Sequence, residues 1–145
     1  MIKLHKNEIA LRQIEVAIDL FFNKGDFLAV INLAGAAEEI LGCFIKRKNK
    51  TDEFSEKPMY DKLVELSTKL VGERSWAIVN KEINGARNAI KHANDDSEDV
   101  IEIEKNADIA MLSRAIANYV LLNGGDSATP QMLRVFEYLK VQDFG

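Results

Sequence analysis

Apolar residues recur along most of this chain at spacings of three and four, the period of an amphipathic helix. In "NEIALRQIEVAIDLFFN" (7–23) they fall at Ala10, Ile14, Ala17, Ile18 and Phe21, while Glu8, Arg12, Glu15 and Asp19 form a charged stripe opposite. That spacing predicts a first helix with i,i+4 charge pairs, with Asn7 as its N-cap. "NKGD" then ends it, with Gly25 in the left-handed closing position and Asp26 capping the next helix. "DFLAVINLAGAAEEILGCFIKRK" is apolar around most of its circumference, which marks a central helix. One stripe differs: Asn32, Gly35, Glu39 and Gly42, where small residues admit a close neighbour. Glu39 either faces that neighbour or shares a solvated edge with Glu38.

"KRKNKTDEFSEKP" lacks periodicity and reads as a loop. Its cations, Lys46, Arg47, Lys48 and Lys50, either complement the dipole of the preceding helix end or form a phosphate-contacting patch. "MYDKLVELSTKLV" (59–71) is a shorter amphipathic helix, broken by "GERS". A fourth helix starts at Ser75 or Trp76 and runs to about His92, with Val79, Ile83, Ala86 and Ile90 on its apolar stripe. "HANDDSED" reads as a capped turn that starts the next helix, roughly Ser97 to Asn123, whose apolar stripe includes Val100 and Ile103. "PQMLRVFEYLKV" closes the chain as a short helix with Pro130 at its first position. Strand signals are nearly absent, and no internal repeat or low-complexity tract is evident. The expected fold is one all-α domain over residues 1–145, an antiparallel bundle of five or six helices.

Composition sharpens this picture in three places. Hydrophobic residues at 47 % and charged residues at 29 % are the balance of a globular core with a solvated surface. A net charge of −4 argues against a surface built for broad, non-specific nucleic-acid binding, although a local basic patch remains compatible with phosphate contacts. A single cysteine, Cys43, rules out an internal disulfide, and its apolar setting reads as a buried structural thiol rather than a nucleophile. The first residues lack the apolar core of a signal peptide, and no apolar run reaches about 18 residues. No spanning helix and no membrane association are expected, and a cytoplasmic protein is the simplest reading.

The candidate chemistry sits in "RNAIKH", Arg87 to His92. On the fourth helix Asn80, Asn84, Arg87, Asn88 and Lys91 form a polar stripe opposite the apolar one, and three of the five are asparagines. Asparagine is a poor helix former, so a merely solvated face would favour Glu and Lys. Amides with one arginine suggest a face that hydrogen-bonds something defined, whether a ligand or a polar network within the bundle. Arg87 and His92 diverge by roughly 140° on a straight helix and converge only if the helix ends near His92. Histidine exchanges protons near neutral pH, and arginine matches phosphate with a fixed fork of donors. Together they suit RNA phosphodiester cleavage, the base taking the 2′-hydroxyl proton and the cation stabilising the phosphoryl oxygens. With His5 and His92 the only histidines, no metal site and no cofactor are expected.

"RNAIKH" and "LAGAAEEILG" together resemble the HEPN family (higher eukaryotes and prokaryotes nucleotide-binding domains). The resemblance implies a helical bundle that pairs as a homodimer, with the Arg and His of both copies lining a shared cleft. It implies a metal-independent ribonuclease, of the kind found in toxin–antitoxin, phage-defence and RNA-processing systems. On that reading Arg87 is the phosphate-stabilising cation, His92 the proton-transfer group and Asn88 the residue that orients them. Asn84, Lys91 and Glu39 become substrate-binding neighbours. The resemblance equally admits a non-catalytic module that binds a nucleotide, an antitoxin or a nucleotidyltransferase.

Overall fold

A computed structural model describes residues 1–51, 56–92 and 99–142. Its elements are helices α1 (Lys6–Phe22), α2 (Phe27–Thr51), α3 (Met59–Val71), α4 (Trp76–Ala89), α5 (Ala107–Asn123) and α6 (Pro130–Lys140), with a 3-10 turn at Gly125–Ser127. No strand occurs among the described residues, and the fold is an all-α bundle.

The core is built where three apolar stripes meet. Ala10, Ile14, Ala17 and Ile18 of α1 face Val30, Ala34, Ala37 and Leu41 of α2, and α5 closes the layer with Leu112, Ala115 and Ile116. Each buried Ile or Leu contributes about 1.5–3 kcal/mol. Alanines between them keep the axes close. Met132 and Val135 of α6 complete the cluster, and Tyr138 packs edge-on against Phe21 and Phe22 with ring centroids 5.1 and 5.9 Å away. By length and composition α2 could cross a membrane, which a count of uninterrupted apolar residues does not show because scattered Asn and Glu break the run. Here α1 and α5 cover its buried stripe.

Several boundaries differ from the sequence expectation. His5, not Asn7, caps α1, its Nδ1 accepting from the Asn7 N–H at 3.0 Å. Asn7 instead pairs with Asn123 at the far end of α5. The α1 exit is a Schellman turn in which Lys24, at φ 56°, takes the left-handed position assigned to Gly25. Gly25 follows it, and its N–H donates to the Leu20 carbonyl at 2.7 Å. A Cβ there would lie 2.8 Å from the Leu20 side chain. Asp26 does cap α2, accepting from the Leu28 N–H at 2.8 Å.

The stretch expected to be a loop from Lys46 remains helical to Thr51, because Lys and Arg are good helix formers and favour a helix C-terminus. The remainder, 52–55, lies outside the described residues, as does 93–98 in the expected "HANDDSED" turn. Residues 99–106 are not helical, so α5 starts about a turn and a half past Val100 and Ile103 and neither belongs to its stripe. Val100, Ile101 and Ile103 are β-branched, Ile101 and Ile103 alternate with Glu102 and Glu104, and Asn106 at φ 71° breaks the chain before α5.

The α3–α4 hairpin is attached differently. No residue of α3 is buried, and α4 buries only Val79 and Asn84. Asn118 of α5 pins the hairpin's start: fully buried, it accepts from the Met59 N–H at 2.9 Å and donates to the Glu38 carbonyl at 3.2 Å. Asn118→Leu keeps the branched shape but leaves the Met59 N–H unpaired, which costs about 1–3 kcal/mol. Chemical denaturation should show that loss, and hydrogen exchange should place the weakened protection in α3 before α1.

Candidate functional site

Glu38 is where the hairpin meets the core. Glu38 and Glu39 differ by about 100° around α2, enough to separate a buried position from an exposed one. Glu38 is 4 % exposed, whereas Glu39, the acid expected to face a neighbour, is exposed. Arg114 of α5 stands 2.7 Å from Glu38 Oε2 and Arg87 of α4 stands 3.9 Å from Oε1. The Arg114 contact is an ion pair without the alignment of a hydrogen bond, and Oε2 accepts none from the described residues. Burial raises the Glu38 carboxyl above the ordinary carboxylate range, outweighing the two guanidiniums that pull it down.

Arg114 spends its donors on α4. Nη1 donates to the Ile83 carbonyl and Nη2 to Asn84 Oδ1, both at 2.8 Å. Asn84 passes the chain on: its Nδ2 donates to Asn80 Oδ1 at 3.1 Å, and the Tyr60 hydroxyl donates to the same oxygen at 3.1 Å. The asparagine-rich stripe is therefore an internal polar network at Asn80 and Asn84. Asn88 is half-buried and Lys91 exposed, so neither continues it inward.

Arg87 reaches Glu38 because Gly35 makes room. A Cβ on Gly35 would lie 2.6 Å from Arg87 Cδ, so the small-residue stripe of α2 admits a guanidinium stem rather than a second backbone. Arg87 then forms one wall of a cavity of about 270 Å³ between α2, α3 and α4. Tyr60, Trp76, Asn80 and Asn84 line it with rings and amides, and Lys46 adds a cation. Cys43 opens onto it as well and is exposed, not buried. It lies about 200° around α2 from both Leu41 and Ile45, on the side away from the core stripe.

His92 is exposed beyond the end of α4, after an Ile90 cap whose N–H donates to the Ala86 carbonyl. The helix does end before His92, as its turn signals require. His92 is not among the residues lining the Arg87 cavity. Asn84, Glu39 and Arg87 share the cavity; Asn88, Lys91 and His92 stand outside it.

Glu38, Arg114 and Asn118 are the site residues that sequence reading missed. The signal is present: Arg114 and Asn118 are four apart on an otherwise apolar helix, which puts two polar groups on one face aimed at the bundle. No family model, curated protein or solved structure matches the chain.

Breaking the buried pair on one side should cost about 3–5 kcal/mol, because the remaining charge loses its counter-ion. Glu38→Gln and Arg114→Met each test this in urea unfolding. The double substitution should be less destabilising than the sum, and full additivity would show that the two groups act independently. Gly35→Ala makes a separate point: the new methyl evicts the Arg87 side chain at about 1–3 kcal/mol of overpacking. A crystal structure of that variant should show Arg87 displaced from Glu38.

Proposed function

We propose that this chain is a HEPN-type RNA-acting domain, a metal-independent endoribonuclease that takes a phosphate at the Arg87 cavity and cuts it as a homodimer. One observation carries the reading. The Glu38 cluster sets two guanidiniums against a single carboxylate, and Arg87 is its member at the cavity wall, with Lys46, Glu39 and Asp61 lining the same cavity. A phosphate entering the cavity would bind against Arg87, whose guanidinium is mostly buried. A phosphodiester fits that role, and the amides of Asn80 and Asn84 add neutral polar contacts beside it.

In this mechanism His92 takes the 2′-hydroxyl proton and Arg87 stabilises charge on the phosphoryl oxygens. His92 comes from the second copy, since it lies outside the cavity of its own chain. The dimer has an apolar surface to use: Leu66, Leu70, Trp76 and Ile78 on the α3–α4 hairpin are each at least half exposed.

The exposed position of His92 favours a second reading, in which the same cavity holds a nucleotide or RNA end without cutting it and the hairpin docks a protein partner such as an antitoxin. Activity separates the two. Purified chain should cleave single-stranded RNA in the presence of EDTA, and His92→Ala should lower the rate by at least 100-fold, the scale of lost general-base catalysis. Binding that survives in both proteins, with no cleavage by either, establishes the holding role instead.

A further inference from the structure

The Arg87 cavity does not end at Arg87. Glu39 and Cys43 line it and also line a neighbouring cleft of about 310 Å³ against α1. Phe44 and Arg47 line that second cleft and also a third, of about 400 Å³, between the starts of α1 and the ends of α2 and α5. The middle depression shares lining residues with each of the other two, so the three follow one another around the C-terminal half of α2. The chemistry along them changes in one direction. Glu38, Glu39 and Asp61 are mixed with the cations at the Arg87 end. The far cleft is lined by Arg47, Lys48 and His5 with no carboxylate among its lining residues.

The far cleft is also built around aromatic planes. His5 stacks on Phe44 with ring centroids 5.5 Å apart and 16° between planes, and the Arg47 guanidinium lies 5.1 Å over the same Phe44 ring. Asn7 and Asn123, hydrogen-bonded to each other at 3.0 Å, close the floor with amides. Cations following a groove beside aromatic and guanidinium planes are what a single nucleic-acid strand uses, phosphates on the charges and bases on the planes. Of the four cations at 46–50, Arg47 and Lys48 line this cleft, while Lys46 faces Asp61 at 3.7 Å.

We infer that the chain holds an extended single strand of RNA along these three depressions as one track, with the His5–Phe44–Arg47–Lys48 cleft as a second binding region remote from the Arg87 cavity. The inference rests on the RNA reading above and names its substrate class: a strand several nucleotides long, not a mononucleotide. The segment of α2 from Glu39 to Thr51 rises about 18 Å, which sets the scale of the contact.

The test uses the full chain carrying His92→Ala, so that bound RNA is not cut, with fluorescence anisotropy of labelled oligouridylates. A ten-nucleotide strand should bind at least tenfold more tightly than a dinucleotide. Adding Arg47→Glu and Lys48→Glu should weaken the ten-nucleotide strand by about tenfold and leave the dinucleotide unchanged. The slope of log affinity against log salt should become shallower by about 1.4, as expected when two fewer phosphates of a single strand are neutralised. Circular dichroism checks that the charge-reversed chain folds. A ten-nucleotide strand that binds no better than the dinucleotide overturns the inference, as does an affinity indifferent to the charge reversal. Strand binding through the track without cleavage by the wild-type chain sinks only the nuclease reading. Cleavage with no track dependence sinks only this one.

Discussion

The buried pair between Glu38 and Arg114 is the constraint on which the α3–α4 hairpin depends. α1, α2, α5 and α6 bury enough apolar surface among themselves to hold together. α4 contributes only one large apolar side chain to burial, Val79, and α3 none. What fixes their position is directional: Arg114 clasps the Ile83 carbonyl and Asn84, Asn118 clasps the Met59 N–H, and Glu38 holds both guanidiniums. A hydrophobic contact would let α4 slide by a turn at little cost. A guanidinium bonded to one carbonyl and one amide does not. Such pairs add little net stability, because desolvating the charges consumes most of the Coulomb gain. The raised carboxyl of Glu38 expresses that cost directly. Register, rather than free energy, is what this network contributes.

The division has a dynamic consequence. A unit held by a few polar clasps opens at lower free energy than one held by a continuous core. The Arg87 cavity has one wall on the core helix α2 and its others on the hairpin. A ligand that bridges them binds only the closed arrangement, so it stabilises the hairpin by mass action. The cavity is thereby tied to the part of the molecule best able to adjust around a guest. The far cleft, by contrast, lies between α1, α2 and α5, inside the rigid part. A strand lying along both would meet one preformed platform and one adaptable pocket.

Helical periodicity made α1, α3 and α6 legible nearly to the residue, because each has a clean apolar stripe, with a glycine closing α1 and α3 and Pro130 opening α6. It failed where another force decided. α2 outlasts its apolar pattern because lysine and arginine extend a helix without burying anything. α5 starts late because Asn106 turns left-handed in the middle of a run whose composition alone still looked helical. The site was half legible. An asparagine-rich stripe on α4 did announce a polar network, and Asn80, Asn84 and Arg87 do line one cavity. Its partner was hidden by a one-residue ambiguity: adjacent glutamates on α2 look alike in sequence, and only the phase set by Leu41 and Ala34 sends Glu38 inward. Arg114 was hidden by its neighbours, since one arginine in an apolar helix reads as a surface residue until a buried acid is placed opposite it.

Charge placement on α2 bears on how an acidic chain could hold the proposed RNA strand. Binding depends on the field where the ligand lies, and at physiological salt that field falls off over a screening length of about 8 Å. α2 carries Glu38 and Glu39 in its middle and four cations within its final turns. The buried acid sits where Arg87 and Arg114 offset it, and Arg47 and Lys48 line a cleft with no carboxylate among its described lining residues. A strand entering at the cation-rich end would meet attraction first and Arg87 afterwards, among carboxylates that would repel a second phosphate. That order follows from the spacing of charges along one helix and does not require a basic protein.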